Sequence, residues 1–169
     1  MKRLATLCCA ATVAITPALA STLPDAAKTA VLRALEDEYH AEAVYAATLT
    51  AFGDVRPFSN IIKAERKHQA ALLGLLETYG IAAPANGYLT GEKPLDTLPA
   101  TLQEMCEIGV AAEIENARLY DEDLLPAVAD HPDIIAVFTN LRDASVNNHL
   151  PAFQRCAARG GMGKGQVAG

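Results

Sequence analysis

Two polar side chains interrupt the apolar face of a helix predicted from about Phe58 to Tyr79. Apolar residues recur in this helix at steps of three and four, which is the spacing of a buried helical face. Glu65 and His68 occupy positions on that face. A buried carboxylate is unfavourable unless a neighbouring charge or a metal ion compensates it. We therefore interpret the pair as metal ligands, since residues three apart are neighbours on a helix; a buried ion pair is the alternative.

Two further glutamates lie on the apolar face of the helix predicted from Pro24 to Phe52. In an antiparallel hairpin, residues at the same height have numbers with a constant sum. The numbers of Glu38 and Glu65 add up to 103, and half of that sum falls at the predicted turn between the two helices. Glu38 is therefore expected beside Glu65. Glu42 lies one turn further on, and three roles stay open for it: a ligand, an acceptor for a ligating histidine, or a solvent-facing group.

The second half of the chain contains a matching pair of candidate ligands. The numbers of Glu113 and His149 add up to 262, with the midpoint in a predicted turn. We choose Glu113 over Glu115 because its helical stripe is the more apolar one. His149 is either a ligand or a core histidine. Tyr45 and Tyr120 are interpreted as core residues.

Cys106 and Cys156 also have numbers that add up to 262, so the register that aligns Glu113 with His149 aligns these cysteines too. In an oxidising compartment, two cysteines at one height predict a disulfide that clamps the two helices. The alternative is a redox-active or metal-binding cysteine pair.

Four long helices are predicted to position these side chains. They run over about residues 24–52, 58–79, 102–125 and 133–158. Short connections join the first two helices and the last two, so each pair is antiparallel. A long connection over residues 81–99, rich in proline and glycine, joins the two pairs. The predicted fold is therefore all-α, an antiparallel four-helix bundle of two hairpins with a long crossover, which is the ferritin-like plan.

Carboxylate and imidazole ligands together suit iron, manganese or zinc. Dinuclear carboxylate sites in bundles use one glutamate from each of two helices and Glu-x-x-His from each of the other two. Here Val146 stands three residues before His149, where the last glutamate is expected, and Pro151 interrupts the same helix. A dinuclear iron site and a site with one metal ion therefore both remain open.

Several short motifs resemble those of known families. Glu38–Tyr45 resembles the Glu-x-x-Ala-x-x-x-Tyr signature of rubrerythrin-like di-iron bundles, and Ala64–His68 resembles their Glu-x-x-His helix. Gly109–Asp121 and Asn148–Phe153 resemble the third and fourth helices of a secreted bacterial ferritin-like family, the domain of unknown function 2202. The resemblance covers nearly all of the chain after residue 20. It implies the fold and a metal site, and it implies no known reaction.

The N-terminus is predicted to be a secretory signal peptide over residues 1–20. A basic start precedes an apolar run too short to span a membrane, and Ala18-Leu-Ala20 is a typical cleavage site. We expect a periplasmic or secreted protein, with the helical domain at residues 21–159 and a flexible glycine-rich tail at 160–169. Without Lys2 and Arg3, 12 of the 14 basic residues remain against 20 acidic ones, a net charge of −8. This charge disfavours nucleic acids and anionic membranes as partners and suits metal ions.

Three functions follow as hypotheses from these residues. The first is an oxygen- or peroxide-linked di-iron oxidoreductase, such as a ferroxidase or a peroxidase, whose electron donor is left unassigned. The second is a metal carrier or buffer without turnover. The third is a structural four-helix module that has lost the site. The oligomeric state stays open, with a homodimer among the options.

Overall fold

The computed structural model describes residues 22–159, and the predicted signal peptide, its cleavage site and the glycine-rich tail lie outside that range. The described residues form five helices, four of them long, and no strand. These helices are α1 (Asp25–Phe52), α2 (Phe58–Thr78), α3 (Gly87–Thr90), α4 (Leu102–Leu119, then Tyr120–Leu124 and Leu125–Ala127) and α5 (Pro132–Ala144, then Ser145–His149 and Leu150–Ala158). For this part of the chain, the prediction of an all-α fold is confirmed.

The helix ends follow the local sequence. Gly53 has a φ of 82° and Gly80 a φ of 64°, so residues without a side chain stand where α1 and α2 stop. Thr101 and Glu104 form a reciprocal capping box at the start of α4. Pro132 begins α5, where its missing N–H leaves no helical hydrogen bond unmade.

The four long helices pack around two apolar cores that lie at opposite ends of the domain. One core joins the first half of α1 to the ends of α2 and α4, and the other joins the second half of α1 to the start of α4. Each long helix contributes to both cores. The polar candidates Glu38, Glu65, Glu113 and His149 are buried at the level between them. These four side chains form a polar layer with apolar packing on both sides.

The pairing of α4 with α5 has the predicted register. The sulfur atoms of Cys106 and Cys156 lie 1.96 Å apart, at the distance of a disulfide bond. Gly109 packs against the ring of Phe153, and a Cβ atom at Gly109 would lie 2.4 Å from a ring carbon. The numbers of this second pair also add up to 262. The cysteine pair and the Gly109–Phe153 pair therefore follow the same register between α4 and α5.

Helices α4 and α5 each contain one wide π-helical turn, Tyr120–Leu124 and Ser145–His149. Each turn is followed by Leu-Pro, with Pro126 or Pro151 as the proline. Proline lacks an N–H and crowds the preceding helical turn. A π turn accommodates one extra residue, so the helix continues past the proline without a break.

The connection from α2 to α4 is fastened to α1 by hydrogen bonds. The Tyr39 hydroxyl donates to the Pro84 carbonyl at 3.1 Å, and the Asn86 amide donates to the Tyr39 carbonyl at 3.2 Å. Asn86 also caps the short helix α3. Over residues 22–159, we find no helix with the length and apolar character needed to cross a membrane.

Candidate metal centre

Two groups of acidic and histidine side chains meet between the apolar cores. Glu38, Glu65 and His68 form the first group, and Glu65, Glu113 and His149 form the second. Within each group, the candidate ligand atoms all lie within 4.8 Å of one another. Glu65 belongs to both groups. Each of the four long helices therefore contributes at least one side chain.

The two oxygen atoms of Glu65 face different histidines. Its Oε2 lies 3.0 Å from Nδ1 of His68, and its Oε1 lies 3.3 Å from Nδ1 of His149. Glu38 approaches His68 at 3.2 Å, and Glu113 approaches His149 at 3.5 Å. The two imidazole rings stack with their centroids 5.6 Å apart. The carboxylate of Glu65 therefore lies between two similar Glu/His pairs, Glu38–His68 and Glu113–His149, which we call half-sites.

Helix α5 brings Ser145 to the inner face where a regular helix would place Val146. Asn116, which lies three residues after Glu113, accepts a hydrogen bond of 2.8 Å from the Ser145 hydroxyl. The numbers of this pair add up to 261 rather than 262. The shift by one residue occurs at the π turn, since Ser145 begins it and His149 ends it. Ser145 is buried, so a hydroxyl occupies the position at which the sequence pattern led us to expect a glutamate.

Burial favours the protonated forms of the carboxylates when no cation is present. Loss of solvent raises the pKa of Glu38 to about 8 and that of Glu65 also to about 8. The charge of Glu38 and its hydrogen bond raise the pKa of Glu65 further, whereas the hydrogen bond with Glu65 lowers the pKa of Glu38. A divalent cation removes this penalty, because it favours the charged carboxylates and displaces their protons.

Tyr120 provides an independent indication that the donor set fits a metal ion. Its side chain is fully buried, and its hydroxyl has no hydrogen-bond partner among the described residues. Burial raises the pKa of Tyr120 well above its usual value, and the charges of Glu38, Asp37 and Glu65 raise it further. A buried hydroxyl close to carboxylates is normally paired. A metal-bound water is a partner of the right kind, and three carboxylates with two imidazoles suit iron, manganese or zinc.

Tyr45 is a core residue, as the sequence suggested, and its hydroxyl also holds one of the candidate ligands. Its hydroxyl donates to Oε1 of Glu113 at 3.2 Å, while its ring packs against Phe58 and Phe153. The aromatic contacts fix the ring, and the hydroxyl then fixes the carboxylate. Sequence spacing does not reveal this role, because Tyr45 and Glu113 lie on different hairpins.

Glu42 lies outside both groups. Its carboxylate accepts hydrogen bonds from Arg66 at 2.7 Å, from Gln69 at 3.0 Å and from Asn86 at 3.4 Å. These donors occupy both carboxylate oxygens, so the side chain ties α2 and the α2–α4 connection to α1. Glu115, which competed with Glu113 in the sequence, is exposed and pairs with Arg118.

Two polar residues that line the same region, Asp37 and Asn116, were not predicted from the sequence. The Asn116 amide donates to the carboxylate of Asp37, and burial raises the pKa of Asp37. Asp37, Asn116 and Ser145 thus form a chain of hydrogen bonds beside the candidate ligands. Asp37 directly precedes Glu38, and no local pattern distinguishes it from a solvated acid on a helix.

The fold recurs in the crystal structure of a hypothetical protein, MJ0754, from Methanococcus jannaschii DSM 2661. The two chains are 21% identical, with a TM-score of 0.67 over 88% of this chain and 86% of that one. At this identity the likeness shows the fold alone. No curated protein matches the chain. Residues 27–167 match the family described as an uncharacterized protein domain, DUF2202. Because this match covers most of the sequence, the chain belongs to the DUF2202 family.

Proposed function

We propose that this protein is a ferritin-like four-helix bundle that binds two metal ions, preferentially iron, between its Glu/His groups. The observation that carries the proposal is the position of Glu65, whose two oxygens face two different histidines. A carboxylate in this position is suited to bridge two cations. Manganese and zinc are the alternatives to iron, because they accept the same ligand types.

The proposed ligands divide between two metal positions. Glu38 and His68 serve the first position, Glu113 and His149 serve the second, and Glu65 serves both. Glu42 is left out because its oxygens already accept three hydrogen bonds. The proposed ligands come from all four long helices, as they do in dinuclear carboxylate sites of ferritin-like bundles. This distribution supports the ferritin-like assignment.

The favoured activity is an oxygen- or peroxide-linked oxidation. A bound iron pair would supply the one-electron redox chemistry. The chain itself would hold Glu113 through Tyr45, release protons from Glu38 and Glu65 when metal binds, and keep water from the two ends of the site with its two apolar cores.

A metal carrier or buffer without turnover is the second candidate. Ser145 favours it, because the second metal position has a hydroxyl where dinuclear bundle sites have a fourth carboxylate. A weaker second position would release its ion more readily. A structural module without metal is the third possibility, and the same experiment tests it.

Metal content per chain tests the proposal. The disulfide-bonded protein is loaded anaerobically with Fe(II), Mn(II) or Zn(II), desalted and analysed for metal by mass spectrometry. We expect two ions per chain, none in Glu65→Gln, and two in the control Glu42→Gln, whose side chain is also buried. One ion per chain would favour the carrier. No metal above the Glu65→Gln background would overturn both metal proposals. Oxygen and peroxide consumption by the iron-loaded protein then separates the oxidoreductase from the carrier.

We also propose that the chain is exported to the periplasm or secreted. The cysteine pair at disulfide distance supports an oxidising compartment. Expression of the full chain in a bacterial host, followed by N-terminal sequencing of the periplasmic fraction, tests this location. We expect a start at Ser21; retention of the intact chain in the cytoplasm would contradict the proposal.

A further inference from the structure

A cleft between α1 and α4 leads from the surface to the candidate metal ligands. It encloses about 330 Å³. Glu38, Glu65 and Glu113 line its inner end, whereas the candidate ligands His68 and His149 do not line it. The cleft therefore reaches the polar layer from the carboxylate side.

The walls of the cleft are mainly apolar. Ala41 and Val44 contribute from α1, and Met105, Ile108 and Ala112 contribute from α4. Ile108 is 48% exposed, so part of an apolar side chain faces solvent at the cleft. Small residues on both helices keep the cleft open. An apolar wall that ends at a few convergent polar groups is typical of a site for a small organic ligand.

The volume of the cleft exceeds the requirement of dioxygen or peroxide. A water molecule occupies about 30 Å³ of liquid, so the cleft has room for roughly ten. Sites for organic ligands begin at roughly 300 Å³. A molecule with a ring and a short polar substituent matches this size.

The two arginines that line the cleft form ion pairs with acidic side chains. Arg33 contacts Asp123 at 2.9 Å, and Arg118 contacts Glu115 at 2.8 Å and Glu122 at 3.0 Å. These arginines therefore offer little to an anionic ligand. An organic cation would have to compete with the metal ions at the inner end of the cleft. Both considerations favour an uncharged ligand.

We propose that the cleft binds a small uncharged organic molecule, with its apolar body between Ala41 and Ala112 and its polar group directed at the carboxylates. The proposal rests on the proposed function in making this molecule the substrate of the metal centre and in excluding organic cations from the inner end of the cleft. Binding itself follows from the shape and chemistry of the cleft.

Three probes of nearly equal size test the proposal: benzyl alcohol, benzoate and benzylamine. Each is titrated into the zinc-loaded protein and, separately, into the metal-free protein, with backbone amide shifts followed by NMR. We expect benzyl alcohol to give saturable shifts at Ala41, Ile108 and Ala112 in at least the zinc-loaded form. In the metal-free protein, benzoate should bind at least about tenfold more weakly because the carboxylates repel it, and in the zinc-loaded protein the protonated amine should do so because the zinc ions repel it. Equal affinities for all three probes, or no saturable shift with the alcohol, would overturn the proposal.

Two adjacent alanines provide a matched pair of variants. Ala112 lines the cleft, whereas its neighbour Ala111 does not, and both are exposed. We expect Ala112→Leu to weaken benzyl alcohol binding by about tenfold or more because its side chain fills the cleft, and Ala111→Leu to leave it unchanged. Thermal melts of both variants establish that they fold. If both variants weaken binding equally, the alcohol binds elsewhere and the proposal fails.

Metal analysis of the same samples separates the two proposals. Zinc bound without alcohol binding would sink this inference and leave the proposed function standing. Alcohol binding to a protein that takes up neither iron, manganese nor zinc would sink the proposed function and leave the cleft as an organic-ligand site.

Discussion

The two half-sites around Glu65 are built from similar side chains in different ways. The Glu38–His68 half joins two helices that are consecutive in the chain, and both helices are regular there. The Glu113–His149 half depends on α4 and α5, and its histidine ends a π turn. The Glu38–His68 half-site follows from spacing within one helical hairpin. The Glu113–His149 half-site also depends on the register of α4 with α5 and on the π turn. We expect perturbation of the α4–α5 pair to affect the second half more than the first.

Removal of the disulfide should have the largest effect on stability. The bond links residues 50 apart, and its loss costs about 4 kcal/mol of unfolding free energy in the chain-entropy model. The double variant Cys106→Ala/Cys156→Ala, studied by urea denaturation, should show this loss and should release the second metal before the first. Simultaneous loss of both metals in the folded variant would show that the two halves are not separately supported.

The sequence predicted the first half-site better than the second for a physical reason. Glu65 and His68 are neighbours on one regular helix, and a short turn fixes the height of Glu38. The placement of Glu113 and His149 at one height was also predicted. Each helix has one π turn between this contact and the loop that joins α4 to α5, so the extra residues of the two turns offset each other. Ser145 was not predicted, because a π turn changes which residue faces inward. The Leu-Pro steps at Pro126 and Pro151 are the signal that could have located both turns.

Gly109→Ala should have the next largest effect. The added Cβ would lie 2.4 Å from the Phe153 ring, so helix α4 or the ring must move, at a cost of about 1–3 kcal/mol. A shift of roughly 2–9 °C in melting temperature follows from the size of the chain. Gly74→Ala is the control, because its added Cβ would have no neighbour within 4 Å and should stabilise α2 by up to about 1 kcal/mol. Equal melting temperatures for the two variants would contradict the close packing of Gly109.

The metal-free protein should lose stability as the pH rises. Glu38 and Glu65 have pKa values of about 8 in the folded chain and 4.5 as the usual value. The folded state therefore binds more protons than the unfolded state between these values. Their contribution is fully present below about pH 4.5 and is lost as the pH rises through about 8.

Thermal melts from pH 5 to pH 9 measure this effect. We expect the melting temperature of the metal-free protein to fall by several degrees, and the fall to be smaller in Glu38→Gln. Bound zinc should remove most of the fall, because the cation holds both carboxylates in their charged form. A pH profile that Glu38→Gln leaves unchanged would contradict the buried, protonated state.

Replacement of Ser145 by an acidic residue should have the smallest effect, and it tests the π turn most directly. Ser145 faces the polar layer, so Ser145→Asp should tighten the second metal position by about tenfold, or 1.4 kcal/mol. Val146→Asp should leave that affinity unchanged. Competitive zinc titration against a fluorescent chelator measures both affinities. The opposite ranking would show that α5 is regular at this point.

The central claim is that Glu65 lies between two metal ions. Anomalous diffraction from a crystal grown with Mn(II) tests it most directly, because the signal locates each ion independently of the surrounding side chains. We predict two peaks about 3.5–4 Å apart, one on the side of His68 and the other on the side of His149, with Glu65 between them. A single peak, or peaks that do not contact Glu65, would contradict the account.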